Sequence, residues 1–241
     1  VTPRLLGHRG ASERAPENTA AAFRAALQDG ADGIELDVRA LGDGTAVLMH
    51  DSTVDRTTDG QGEVSSFDRR SIARLDAGSW KDGAFAGERV PLLDDIMSEF
   101  LGRAYIAVEM KEVLPEAILQ ALNAAYHDHL GAELVLASFE GKALERARDI
   151  APAIPRTLIL GNETPLPPPQ LVSYLGLSAL FAPDARVDER LVIECRREGM
   201  ALSAYTVNDP GRAEFLAALG VEGIISDDPG KIRPHLPRDE S

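Results

Sequence analysis

The chain has one cysteine, no run of basic residues and no long apolar stretch, and each absence removes a class of protein. Cys195 has no second thiol to pair with, and a lone cysteine is usual for a reducing compartment. It falls in the helical run ERLVIECRREG, where a packed thiol is expected rather than a nucleophile. No segment reaches the roughly 18 apolar residues that span a bilayer, so no stable membrane insertion is expected. The first residues, VTPRLLGHRG, hold no hydrophobic core of signal-peptide length. The expected location is cytoplasmic, or secreted if a leader has been removed. Lys and Arg number 25 against 39 Asp and Glu, a net charge of −14. Phosphate backbones are bound by clustered cations, so nucleic acid is excluded as a partner, and an anionic membrane is unsuited too. There is no internal repeat or low-complexity tract, and the residues do not set an oligomeric state. A small anionic substrate would be repelled by the general field. Its site must therefore supply Arg, Lys or a metal ion.

What the 241 residues do contain is a regular alternation. Strand candidates are Arg4–Gly7, Gly33–Val38, Ala46–His50, Tyr105–Met110, Leu134–Ser138, Arg156–Leu160, Ala179–Ala182, Leu202–Val207 and Gly223–Ser226. Helices are predicted over Asn18–Asp29, Leu93–Leu101, Glu116–Leu130, Lys142–Ile150, Pro168–Leu175, Asp188–Glu198 and Pro210–Leu219. In the first, Asn18 can cap, Phe23, Ala26 and Leu27 form the apolar stripe, and Gly30 ends it. Many strands are apolar throughout, as in a parallel sheet covered by helices. The pattern predicts an α/β fold, a (β/α)8 TIM barrel, as one domain over residues 1–241.

One strand is surplus to a closed eight-stranded barrel. The second and third candidates are joined around Asp43–Gly44, a hairpin signal. A tight turn there places Asp37 opposite His50, and a bulge would shift that register. Residues 51–90 then break the pattern with a Gly-, Ser-, Asp- and Thr-rich stretch too long for an ordinary loop. They read as a small insertion subdomain after the third strand: a rim lid, or a surface elaboration packed through Leu75, Trp80 and Phe85.

Barrel active sites lie at the C-terminal ends of the strands. Four successive strands finish in titratable groups: His8 and Arg9, Glu35 and Asp37, His50 and Asp51, Glu109 and Lys111. Residues two apart on a strand point the same way, so Glu35 and Asp37 share a face, as do Glu109 and Lys111. Carboxylates gathered inward on neighbouring strands repel unless a cation lies between them. Three oxygen donors suit Mg2+ or Ca2+, and Zn2+ lacks a Cys/His cluster. His8 and His50 are placed for acid–base work, whereas His127, His129 and His235 read as surface residues. Arg9 and Lys111 would hold an anion or anchor the carboxylates, and Lys111 could do both.

In order along the chain stand GHRGASERAPENTAAAF, GADGIELDVRALGDGTAVLMHDSTVDRTTDGQG, LDAGSW, GERVPLLDD, VEMK and YTVND…GVEGIISDDP. This set resembles the glycerophosphodiester phosphodiesterase family from one end of the chain to the other. The resemblance implies a barrel with an insertion after the HD motif. It also implies hydrolysis of glycerophosphodiesters, such as deacylated phospholipids, to glycerol 3-phosphate and an alcohol. It makes Glu35, Asp37 and Glu109 ligands of a divalent metal, His8 and His50 the acid–base pair, and Arg9 and Lys111 the phosphate holders. Ser138–Phe139 also resembles a family motif, with Phe139 either walling the pocket or packing in the core. Relatives usually carry Trp where Tyr205 stands, which bears on recognition of the glycerol and alcohol side.

The expected substrate partner is thus a small glycerophosphodiester. Attack by the glycerol 2-hydroxyl through a cyclic phosphate, and direct attack by water, are both open. Three other functions compete: a lysophospholipase D-like enzyme releasing a cyclic phosphate, a catalytically dead binding barrel and a sugar-phosphate enzyme. No amphipathic docking helix favours the first, all the site residues argue against the second, and no motif supports the third.

Overall fold

The computed structural model describes residues 2–129 and 131–237. The first half runs β1 (Arg4–His8), α1 (Ala20–Gln28), β2 (Gly33–Ala40), β3 (Ala46–Leu48), α2 (Arg69–Ile72), α3 (Leu93–Phe100), β4 (Tyr105–Met110) and α4 (Glu116–Asp128). The second runs β5 (Leu134–Ser138), α5 (Gly141–Ile150), β6 (Arg156–Ile159), α6 (Pro169–Leu175), β7 (Leu177–Pro183), α7 (Glu189–Arg197), β8 (Ala201–Tyr205), α8 (Pro210–Leu219), β9 (Gly223–Ser226) and α9 (Pro229–Ile232). The predicted end of α4 at Leu130 lies outside the described residues.

The sheet order is β1-β9-β8-β7-β6-β5-β4-β2-β3, and β1 also pairs with β2. All strands but β3 are therefore one closed parallel barrel, with β3 hung antiparallel on the outer edge of β2. Alternation sorts the side chains. Ile34, Leu36 and Val38 of β2, with Ile106, Val108 and Met110 of β4, join the core under the helices. The opposite parity faces inward. There, Leu6, Ala107, Val135, Ala137, Ile159, Phe181 and Ile225 fill the barrel interior. Glu35, Asp37 and Glu109 continue that inward face toward the C-terminal ends, above an apolar floor.

The hairpin differs from the expected register. Val38 pairs with Leu48 and Ala40 with Ala46, and Leu41 N–H donates to Thr45 O at 2.9 Å. The loop is three residues, 42–44, with Gly44 left-handed at φ 82°. A third loop residue moves each partner by one, so Asp37 accepts from Met49 N–H and does not face His50. The cap of α1 also differs. Thr19 Oγ1 accepts from Ala22 N–H at 3.2 Å, while Asn18 takes φ +56° and turns its amide to Asp37.

After β3, residues 51–92 add no strand to the barrel among the described residues and gather a second apolar cluster. It holds Val54, Val64, Ile72, Ala77, Val90 and Leu92 against Leu41, Val47 and Met49 of the hairpin. Leu75 packs on that cluster and Phe85 on the main core, whereas Trp80 is exposed and donates Nε1–H to Ala77 O. Cys195 is buried in α7, and burial raises its thiol to about 11, which leaves it unreactive. His127, His129 and His235 are exposed. No described helix is long and apolar enough to cross a membrane.

Arg156 opens β6 at the end of the barrel away from these charged strand ends. Its guanidinium donates to the carbonyls of Leu175 (2.8 Å), Ile154 (3.0 Å), Pro152 (3.2 Å) and Gly176 (3.4 Å). Arg156→Met keeps the aliphatic stem but strips donors from those carbonyls. The expected cost is about 3 kcal/mol, seen as a fall in Tm of roughly 6–12 °C by calorimetry.

Candidate active site

β1 ends at His8, and the chain turns at once through Arg9 (φ +57°) and Gly10 (φ +87°). A Cβ on Gly10 would lie 2.5 Å from the Ala22 carbonyl carbon, so this turn requires glycine. The left-handed Arg9 costs about 1–2 kcal/mol. Its N–H donates to Glu35 Oε2 at 3.0 Å, and its carbonyl accepts from Asn18 N–H at 3.0 Å. Those bonds hold the strained turn against the end of β2.

Asp37 is the centre of the charged cluster and 1% exposed. Asn18 clamps it with both ends of one amide: Nδ2–H donates to Oδ2 at 2.7 Å, and Oδ1 accepts the Asp37 N–H at 3.1 Å. Arg9 Nε lies 3.2 Å from Oδ2, and Lys111 Nζ 3.5 Å from Oδ1 and 2.6 Å from Glu109 Oε1. Burial alone would raise Asp37. Arg9 and Lys111 outweigh it and hold the carboxyl below its usual range. Glu35 and Glu109 go the other way, raised first by burial and then by the charge on Asp37.

One oxygen from each of Glu35, Asp37 and Glu109 lies within 4.8 Å of the others. Asp37 Oδ1 is buried without a hydrogen-bond donor. Three converging carboxylates, two of them pushed toward neutrality and one with a bare oxygen, fit a hard divalent cation and its all-oxygen preference.

His8 and His50 flank this cluster, each backed by a carboxylate. His8 Nδ1 lies 2.6 Å from Asp227 Oδ1, which also accepts from Ser12 Oγ at 3.0 Å. Asn208 Nδ2–H donates to Asp227 Oδ2 at 2.7 Å. His50 Nδ1 lies 2.7 Å from Asp51 Oδ1. Ionised carboxylates only accept, so Nδ1 carries the proton in both rings and Nε2 is left for a substrate. Burial lowers His8, but Asp227 and Glu35 more than restore it and leave it above its ordinary value. Burial lowers His50 too, and with Arg9 and Lys111 opposing them, Asp37 and Asp51 do not restore it, so it stays below its ordinary value.

His8, Arg9, Glu35, His50, Glu109, Lys111, Phe139 and Tyr205 line one pocket of about 230 Å³, floored by Ile159, Phe181 and Ile225. The candidate catalytic, metal-ligating and substrate-binding residues are thus gathered at one end of the barrel, with Asp37 just beneath. Phe139 is 47% exposed and meets Tyr205 edge-to-face at 6.4 Å, so it walls the pocket rather than filling the core. Tyr205 Oη–H donates to Leu160 O at 2.5 Å, which fixes its ring. Sequence reasoning missed Asp227, Asn208, Asn18 and Glu17. Asp227 directly follows the last strand, so the strand-end rule that found His8 and Glu35 would have found it too.

The model of the glycerophosphoryl diester phosphodiesterase family matches residues 8–231. A glycerophosphodiester phosphodiesterase of Caldanaerobacter subterraneus subsp. tengcongensis is 35% identical over 229 residues, 93% of this chain and 94% of its own. An Oleispira antarctica phosphodiesterase, solved with the product sn-glycerol-3-phosphate, superposes with a TM-score of 0.85 at 30% identity, covering 97% of this chain and 96% of its own. A glycerophosphodiester phosphodiesterase from Agrobacterium tumefaciens superposes with a TM-score of 0.83 at 34% identity, covering 96% and 99%.

Proposed function

The chain belongs to the glycerophosphoryl diester phosphodiesterase family, and from that premise we propose that it hydrolyses glycerophosphodiesters to sn-glycerol 3-phosphate and an alcohol. The observation that carries this reading is the pocket itself, where two carboxylate-backed imidazoles, two cations and the carboxylates meet over an apolar floor. A phosphodiester is an anion with a poor leaving group and needs each of these.

Glu35, Asp37 and Glu109 would hold Mg2+ or Ca2+. When bound, the ion would offset charge on the phosphate oxygens and lower the pKa of a nearby hydroxyl. Arg9 and Lys111 hold the phosphate while keeping Asp37 ionised. His50, the less basic ring, takes a proton from the attacking hydroxyl through Nε2. His8, the more basic ring, delivers one to the departing alkoxide, and the same two atoms reverse roles if a cyclic glycerol phosphate is then opened by water. Phe139 and Tyr205 shape the organic side, and residues 51–90 form the insertion over the rim. Lys81 Nζ reaches Ser12 O at 2.7 Å and Glu88 accepts from Ala21 N–H at 3.2 Å, so the insertion grips the loop that carries Arg9 and the first turn of α1 that follows it.

The test is release of glycerol 3-phosphate from glycerophosphocholine and glycerophosphoethanolamine after EDTA treatment, then with Mg2+ or Ca2+ restored. Loss and return of activity with the metal is the expected result. No release with any headgroup or metal overturns the reading, as does turnover of lysophosphatidylcholine alone with release of a cyclic phosphate. Normal turnover of a 2-deoxyglycerol substrate would exclude the cyclic route and leave direct attack by water.

A further inference from the structure

Arg56 lies in the 51–92 segment, outside the pocket lining, yet both edges of its guanidinium are used. One edge holds Asp51, with Nε–H donating to Oδ2 at 2.6 Å and Nη2–H to Oδ1 at 3.2 Å. The other holds Glu17, with Nη1–H donating to Oε2 at 2.7 Å and Nη2–H to Oε1 at 2.9 Å. Each carboxylate has a second charged partner. Asp51 backs His50, and Glu17 Oε1 accepts from Arg9 Nη1 at 2.9 Å. Arg9 in turn reaches Asp37. An unbroken chain of alternating charge therefore runs Asp51–Arg56–Glu17–Arg9–Asp37, with the His50 ring bonded to its Asp51 end.

We propose that Arg56 is a positioning residue, a rigid spacer that sets His50 and Arg9 at a fixed separation across the pocket. This rests on the proposed function only for the roles of His50 and Arg9, and the spacer geometry stands without it. Two forks on one planar group hold two carboxylates nearly coplanar. An ammonium is a point charge and cannot hold both, so lysine is no substitute. Glu17 is the element that makes the arrangement more than a surface ion pair, because its side chain is only 12% exposed and lies between two guanidiniums. The arginines hold it well inside the ionised range against its burial.

The experiment uses the full chain with Mg2+ restored and compares Arg56→Lys, Arg56→Ala and wild type. Turnover of glycerophosphocholine, Tm, and the ring ¹⁵N signals of His50 are read on each. Expected are a fall in kcat/KM of about ten- to a hundred-fold in both variants, with Tm close to wild type. The His50 ring should leave its single Nδ1–H tautomer in both. Methylguanidinium, but not methylammonium, should restore rate and signals to Arg56→Ala. Unchanged His50 signals overturn the proposal whatever the activity, as does a rate loss that methylguanidinium leaves in place. If wild type turns over no glycerophosphodiester, the functional reading fails while the His50 signals still decide the role of Arg56.

Discussion

Glu35→Gln is expected to remove turnover, by about a thousand-fold or more, while making the metal-free protein more stable than wild type at pH 8. The opposite signs follow from one cause. Glu35 is 4% exposed and faces Asp37 and Glu109 across a few ångströms. Burial first, and then those charges, raise its pKa from 4.5 to about 8. A carboxyl with a raised folded pKa binds its proton more tightly folded than unfolded. Its contribution is favourable below 4.5 and is lost as pH rises toward about 8. Glutamine cannot ionise, and its amide oxygen can still accept from Arg9 N–H. The variant should therefore gain on the order of 2–4 kcal/mol over metal-free wild type at pH 8. Adding Mg2+ or Ca2+ should reverse the order, since only wild type would keep the full proposed ligand set and be stabilised by binding. Thermal melts at pH 5 and pH 8, with and without metal, check this. Equal pH slopes for the two metal-free proteins would show that Glu35 is not held against its charge.

The second large effect separates the histidines. His8→Ala and His50→Ala should each lower kcat by about 10²–10⁴, and the double variant should fall little further because the two act in one step. They should differ with leaving group. A nitrophenolate departs without a proton, so glycerophosphonitrophenol should be spared much of the loss in His8→Ala and none of it in His50→Ala. The pH profile gives the same division. The proposed roles require His50 unprotonated and His8 protonated, and these are shifted to opposite sides of the ordinary histidine value. Wild type should show a bell, with the acid limb missing in His50→Ala and the alkaline limb missing in His8→Ala. Equal sensitivity of both variants to the nitrophenyl substrate would contradict the assignment.

The barrel was legible because its strands are apolar on both faces and its helices are not. Tyr105–Met110, Leu134–Ser138 and Gly223–Ser226 match the sequence reading residue for residue. The site was legible because inward-facing charges at strand ends have no reason to gather unless something binds them. Local choices were harder to read. Whether Asp43–Gly44 makes a two- or three-residue loop depends on where Leu41 finds its partner, and Thr45 supplies it. Whether Asn18 or Thr19 caps α1 depends on Asp37, nearly twenty residues away, which takes the Asn18 amide for itself. The links between Asp227 and His8 and between Arg56 and Glu17 join residues far apart in the chain, and no local pattern records them.

Arg9 and Asn18 close one loop on each other, and that loop bears on His8, the proposed phosphate holder and the clamp of Asp37. In design terms, this makes a short turn, rather than the separate strand ends, the part of the site that tolerates least change. The far wall at Phe139 and Tyr205 shares none of these bonds and can be altered without disturbing the turn. A substitution within the turn instead moves the proposed acid, the proposed phosphate holder and the clamp of Asp37 together.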